Sequence, residues 1–593
     1  MKFHSRRVPG AKPEGRGQTR AGVSEIARSV AVAMWIAVLA GGGARAQTQI
    51  AHTVHNLSPS GPGKIRENQA AGVCIFCHTP HNAKPTRALW NRELPGITYK
   101  LYESSTLKAQ VTQPTGSSRL CLSCHDGILA LSELRVQDSS VRLATLGRLA
   151  GSTSLGVDLS NDHPVSFLYN SALALRTGDL VDPVALPSTA PLESGEMQCS
   201  SCHDPHEDRR ANFLRIDSEF AKSCTVCHRQ HYWRDSSHAT SSATWHGGGQ
   251  KPWPTDGFAS VAENACLNCH RVHGAAHPEW LLAQPIEENN CTICHSGGVA
   301  REDIAQEFFK PSHHSVEARQ WIHDPGENPA NMPMHVTCVD CHNPHAATAS
   351  VQSASVQSAP MTVPGAIRGV SGITMGGASI KEAAFEYEIC FKCHGMGEPS
   401  TPGILRREIT RNIRLKVNPD NPSYHPIAAP GKNRRILGLM VPYIASSVLS
   451  CIDCHNNDQW TLRGSAPRGP HGSRFEPILQ MEYDSMDPSP ESYSGYALCY
   501  KCHDRSALLF GFGGFPHKQH VVDQRTSCAV CHDAHGSRQN THLINFMTLG
   551  VVGNVVVRPS KSGRLDYVPD PARPGHGLCY LNCHGVEHNP QSY

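Results

Sequence analysis

Eleven stretches of this 593-residue chain read Cys, two residues, Cys, His. They are CIFCH (Cys74, Cys77, His78), CLSCH (Cys121, Cys124, His125), CSSCH (Cys199, Cys202, His203) and CTVCH (Cys224, Cys227, His228). Next come CLNCH (Cys266, Cys269, His270), CTICH (Cys291, Cys294, His295), CVDCH (Cys338, Cys341, His342) and CFKCH (Cys390, Cys393, His394). The last three are CIDCH (Cys451, Cys454, His455), CYKCH (Cys499, Cys502, His503) and CAVCH (Cys528, Cys531, His532). Two thiols one helical turn apart can each add to a vinyl group of one porphyrin. The histidine that follows then sits under the iron as its proximal ligand. Eleven such motifs read as c-type haem attachment. A zinc ribbon would not require a histidine after every second cysteine, and disulfides would not require one at all.

The eleven motifs use 22 of the 24 cysteines. The remaining two lie in CYLNCH, where Cys579 and Cys583 are separated by three residues and His584 follows. The histidine has no role in a disulfide. The stretch therefore reads as a twelfth attachment site, its extra residue altering how that haem is seated. The expected cofactor is twelve covalently attached haem c, eleven by CxxCH and one by CxxxCH.

Beyond the twelve proximal histidines the chain has 24 more, and His4 lies in the basic N-terminal segment. Six stand three residues past a proximal histidine: His81, His206, His231, His273, His345 and His535. A two-residue spacer cannot carry a ring around the porphyrin to the far face of its own haem. If such a residue ligates, it ligates a different haem, and neighbouring haems are then tied in pairs. Others stand in loops beside Pro or Gly, among them His55, His163, His314, His425, His471, His517 and His520. A proline there stiffens the loop that presents the ring. Only 12 methionines are present and none recurs at a fixed offset from the motifs, so bis-histidine ligation is expected, with low reduction potentials.

The elements that must position these groups are sparse. Hydrophobic residues make up 39% and aromatics 6%, with 50 Gly and 42 Pro. A thin polypeptide core implies that porphyrins fill much of the interior and that apoprotein lacks a stable fold. The expected fold is mostly loop with short α-helices organised around covalent haems and little β structure, as in a multihaem cytochrome c. Residues 1–46 read as a signal peptide: a basic start, the apolar run SVAVAMWIAVLAGGG, then ARA before Gln47. Removing them takes the formal charge from +3 to −3, which gives nucleic-acid binding no support. No later run is apolar enough to span a membrane.

The string HNLS, VCIFCHTPHNA, LCLSCHDGILAL, NDHPVSF, CSSCHDPH, NFLR, SCTVCH, over about residues 52–232, resembles the extracellular and outer-membrane multihaem c-type cytochromes of metal-respiring bacteria. More broadly it resembles the doubled C-x-x-C-H motif family. The resemblance implies a tetrahaem unit in which His55, His81, His163 and His206 are sixth ligands. Dividing the chain on that pattern gives module 1 at 47–245, module 2 at 246–405 and module 3 at 406–593. Module 2 would use His246, His273, His314 and His345; module 3 would use His425, His471, His520 and His535. His517 competes with His520, and His231 or His238 with His246. SSHATSSATWHGGGQKPWPTDG reads as a boundary, ATASVQSASVQSAPMTVPGAIRGVSG as a linker, and the basic LRREITRNIRLK as a solvated helix face.

The reading that follows is an electron conduit without catalytic residues, working in respiration toward the cell exterior. Its expected partners are other redox proteins, an outer-membrane conduit or a metal oxide acceptor, with self-association into a haem filament as a third reading. The expected location is the periplasm, the outer-membrane surface or the extracellular space. The rival is a multihaem oxidoreductase of the nitrite or hydroxylamine type, which needs one haem with an open iron face.

Overall fold

Local hydrogen bonding explains most of the helix in this computed structural model. It describes residues 50–67, 72–84, 88–131, 134–135, 147–253, 258–316, 323, 335–349, 358–395, 404–434, 436, 438–459, 466–511, 514–573 and 575–593. The segment expected to be a signal peptide lies outside them, as does part of the 347–372 linker. Among the described residues the chain is mostly loop, with short helices and six small sheets. No helix among the described residues is long and apolar enough to cross a membrane.

Nine motifs close one helical turn by the same bond, from the proximal histidine N–H to the first cysteine's carbonyl. His78 to Cys74 is 2.8 Å, His228 to Cys224 2.9 Å and His532 to Cys528 3.0 Å, with His203, His270, His295, His342, His455 and His503 alike. The other two motifs end longer helices, Gly116–His125 and Glu386–His394. Caps start several of these turns: Thr337 with Asp340, and Ser450 with Asp453, form reciprocal capping boxes.

Two-residue antiparallel ladders join segments far apart in sequence. Ser312–His313 pairs with Gly472–Ser473, and Ser423–Tyr424 with Gly536–Ser537. Both ladders need a glycine. A Cβ on Gly472 would lie 2.0 Å from the Glu307 carbonyl oxygen, and one on Gly536 would lie 2.1 Å from that of Lys416. The clusters of buried apolar residues are small and scattered. The largest, with Phe546, Met547, Val556, Val557, Tyr567 and Leu581, packs under a four-stranded C-terminal sheet.

That sheet contains CYLNCH. The strand Gly577–Cys583 is central, pairing with Val557–Arg558, Asp566–Pro569 and Val586–Ser592. The basic segment near 405–416 also departs from its expected form. It is a strand, Leu405–Arg406, and one helical turn, Ile413–Lys416, rather than a solvated helix face. Arg406 donates to the Ala529 and Asn545 carbonyls, Arg407 pairs with Asp566, and Lys416 pairs with buried Asp533. Its cations are spent inside the fold because buried carboxylates need them.

Candidate haem-binding sites

Each proximal histidine except His584 meets one other histidine, and the spacing is nearly constant. With metal–nitrogen bonds of about 2 Å and each ring centre roughly 1 Å further out, two imidazoles on one iron hold their centroids roughly 6 Å apart. The observed pairs are His78–His206 at 6.3 Å, His125–His55 at 6.2 Å, His203–His273 at 6.2 Å, His228–His163 at 6.3 Å and His270–His345 at 6.3 Å. They continue with His295–His238 at 6.3 Å, His394–His314 at 6.3 Å, His342–His471 at 6.0 Å, His455–His535 at 6.1 Å and His532–His517 at 6.4 Å. His503 has His425 beside it. The residues at eleven sites therefore fit a haem closed on both faces by histidine.

The ring-plane angles fall into two groups along the chain. In motifs 1, 3, 5, 7, 9 and 11 the two rings are near parallel, at 19°, 33°, 7°, 8°, 3° and 22°. In motifs 2, 4, 6 and 8 they are crossed, at 86°, 79°, 83° and 54°.

A further hydrogen bond orients many of these rings, whereas the buried Nδ1 atoms of His471 and His503 have no hydrogen-bond partner. Nδ1–H of His125, His203, His270, His342, His455 and His532 donates to a backbone carbonyl at 2.7–3.0 Å. Nε2 is left as the lone-pair nitrogen. The histidines facing motifs 2, 6, 8 and 10 donate to the carbonyl just before the ligand of the preceding motif's haem. His55 bonds Pro205 at 3.2 Å, His238 bonds Pro344 at 2.8 Å, His314 bonds Pro470 at 2.9 Å, and His425 bonds Ala534. Motif 4 varies the theme: the His163 backbone N–H bonds Val272, the residue before His273, at 2.8 Å. His273 itself bonds the buried Asp162 carboxylate at 3.0 Å. Sequence reasoning missed these acceptors, although the proline of CHDPH and CHNPH carried the signal.

Burial keeps the imidazoles in the metal-binding neutral form. Desolvation holds His163, His295, His345, His455, His503 and His517 down at about 4, and His471 at about 3.

The thiols form an unbroken series, and none of the 24 is in a disulfide. From an odd motif to the next even one, second cysteines lie close: Cys77 to Cys124, Cys202 to Cys227, Cys269 to Cys294, Cys341 to Cys393, Cys454 to Cys502 and Cys531 to Cys583. From even to odd, first cysteines lie close: Cys121 to Cys199, Cys224 to Cys266, Cys291 to Cys338, Cys390 to Cys451 and Cys499 to Cys528. The attachment points follow the sequence from the first motif to the last.

Of the twelve expected sixth ligands, His55, His163, His206, His273, His314, His345, His425, His471 and His535 each face a proximal histidine. His81 and His246 do not; both are exposed. The histidine three past motifs 3, 5, 7 and 11 faces the proximal histidine two motifs earlier, and motif 1 has no such predecessor to offer His81. His238 takes the place expected for His246, because the turn Ser237–Thr240, capped by Ser236, carries it to Pro344. His517 rather than His520 faces His532. The segment expected to be a boundary thus supplies a ligand. Three pairs, His203–His273, His238–His295 and His342–His471, cross the module limits at 245/246 and 405/406.

CYLNCH is built differently. Cys579 and Cys583 lie four residues apart on a strand, roughly 13 Å between Cα atoms, where a helix would hold them roughly 6 Å apart. That is too far for a disulfide, and as formed it does not fit the attachment used by the other eleven. His584 sits at φ 51° with Nε2 2.9 Å from the buried Asp487 carboxylate. Yet Cys583 and Cys579 lie beside Cys531, where the alternation places a twelfth pair.

The doubled CXXCH motif family matches residues 190–232 and 259–300. The chain is also 27% identical over 151 residues to the multiheme cytochrome MtrA of Shewanella baltica (strain OS185). That stretch is 25% of this chain and 36% of the relative, so only about a third of the relative's length is matched.

Proposed function

We propose that this protein, a multihaem c-type cytochrome of the doubled CXXCH motif family, is a respiratory electron conduit that moves charge along its own sequence order and outward from the cell. Bound haem supplies one-electron redox chemistry. The residues fix the rest: a histidine would close each face of eleven irons, carbonyl acceptors set many of the ring orientations, and alternating cysteine contacts keep neighbouring attachment points together. The observation that carries the reading is the histidine opposite each of eleven proximal ligands, which leaves those irons no substrate position.

Twelve haems are the finer part of the proposal. Three regularities support a twelfth at Cys579, Cys583 and His584. The thiols continue the alternation. His520 lies between motifs 10 and 11, as the sixth ligand of an even haem should. Its Nδ1 bonds the Pro516 carbonyl at 3.1 Å, just before His517. His520 is thus the proposed twelfth sixth ligand, although its Nε2 now lies 3.3 Å from the Tyr593 hydroxyl. Seating a haem there requires the strand to contract to a turn. If it does not, the last site is where the oxidoreductase reading would reside.

Export, a place in the periplasm or at the cell surface, redox partners in an outer-membrane conduit and three ligand-sharing tetrahaem modules belong to the same proposal. The mass of purified holoprotein tests the count: twelve haems are expected and eleven would remove the last site. Rapid carbon monoxide binding by any of these eleven haems in the reduced native protein would count against the conduit reading and revive the oxidoreductase one. Loss of haem staining after protease treatment of intact cells supports the outward location, and survival of the band opposes it.

A further inference from the structure

Between motifs 6 and 7, a group of side chains outside every haem pair has the donors and spacing of a metal centre. His323, His335 and Asp340 each offer one ligand atom, and the three atoms lie within 4.8 Å of one another. His323 Nδ1 is 3.5 Å from Asp340 Oδ1. Ligand atoms bound at about 2.1 Å in a tetrahedron stand roughly 3.4 Å apart, so this pair already has the separation that one shared ion imposes. The His323 and His335 ring centres are 6.4 Å apart and inclined at 57°. Neither ring faces a proximal histidine of any CxxCH motif.

A further carboxylate lies nearby, outside that group of three ligand atoms. Glu288, on the helix Glu287–Thr292 that carries Cys291, is 5% exposed. Both its carboxylate oxygens are buried with no hydrogen-bond partner. Asp340 and His335 are the groups it senses electrostatically, and burial raises its pKa. A buried carboxylate without partners is costly, and a cation among these four residues removes that cost. The neighbouring Glu287 carboxylate accepts the His323 backbone N–H at 2.7 Å. Asp340 belongs to the motif 7 helical turn, where its other oxygen accepts the Thr337 N–H at 2.8 Å.

We propose that His323, His335, Asp340 and Glu288 bind one non-haem divalent first-row cation, zinc being the best match to a tetrahedral two-nitrogen, two-oxygen set. The ion joins the helix of motif 6 to the turn of motif 7, next to the Cys291–Cys338 contact. Its positive charge raises the reduction potentials of the two adjoining haems.

The test uses the full haem-loaded chain, purified without a histidine tag and stripped with a chelator, then dialysed against zinc and assayed by elemental analysis. One zinc per chain is expected, accompanied by an upward shift in part of the potentiometric titration. His323→Ala with His335→Ala should weaken zinc binding at least 100-fold, and Glu288→Gln about 10-fold. In each variant the haem-to-protein ratio and low-spin spectrum report an intact fold, and Glu288→Gln alone decides if the double variant fails to load haem. Wild-type protein without saturable zinc binding, or folded variants that bind zinc as wild type does, would overturn the proposal.

Discussion

Glu386 offers a measurable proton switch inside the haem path. It opens the helix Glu386–His394 and is 2% exposed. Its two oxygens accept the N–H groups of Cys451 at 3.1 Å and Ile452 at 3.3 Å, so it bridges motif 8 to motif 9. Burial dominates its chemistry and lifts the carboxyl from 4.5 to about 7, against the smaller downward pull of those two N–H groups. A shift of that size corresponds to about 3 kcal/mol of ionisation penalty in the folded chain. The unfolded carboxyl loses its proton near 4.5 and the folded one near 7, so between those values the folded chain holds the extra proton. This contribution to stability is complete below pH 4.5 and is lost as pH rises through 7. Reduction of the adjoining haems adds negative charge and strengthens proton uptake, so their potentials should fall with rising pH around neutrality. The ceiling is about 59 mV per pH unit for one proton per electron. Infrared difference spectra should show a protonated carboxyl band that titrates near pH 7 and disappears in Glu386→Gln, whose potentials become flat over the same range. An unchanged band in the variant, or equal pH slopes in both proteins, would refute the reasoning.

Three further outcomes are expected. His206→Ala should open one iron face, seen as one high-spin, carbon monoxide-binding haem per chain, whereas His81→Ala should leave the spectrum unchanged. His520→Ala should alter only the last haem, and His517→Ala only the haem of motif 11, which resonance Raman of each variant would separate. Arg92 is fully buried and donates to the carbonyls of Leu131 at 2.7 Å and Ala130 at 2.8 Å. Arg92→Met should therefore cost roughly 3–5 kcal/mol in local stability, read as faster hydrogen exchange around motifs 1 and 2.

The attachment chemistry was legible in the sequence because it is local: Cys-x-x-Cys-His closes a single turn with its own backbone. Loop-rich architecture followed from the thin apolar content. The partner of each proximal histidine was harder to read because it is long-range. His55 faces His125 but is oriented by Pro205, 150 residues away. His81 has the same local spacing as His206, and nothing within five residues shows that only one has a haem two motifs behind it. His238 and His246 differ through the Ser236 cap, a detail of one turn. The extended form of CYLNCH was the least legible, since the strands at Val557, Asp566 and Val586 that pair with it carry no signal in the motif itself.

The alternating ring angles have an electronic consequence. Parallel imidazoles remove electron density along one direction of the porphyrin plane and so split the two iron d orbitals that receive the unpaired electron. Crossed imidazoles treat both directions alike and leave those orbitals nearly degenerate. The oxidised protein should therefore give two families of paramagnetic resonance signals, rhombic from odd motifs and strongly axial from even ones. From motif 1 to motif 9 an electron moving along the chain would then alternate between two kinds of iron at every step, although the facing side chains are the same pair throughout.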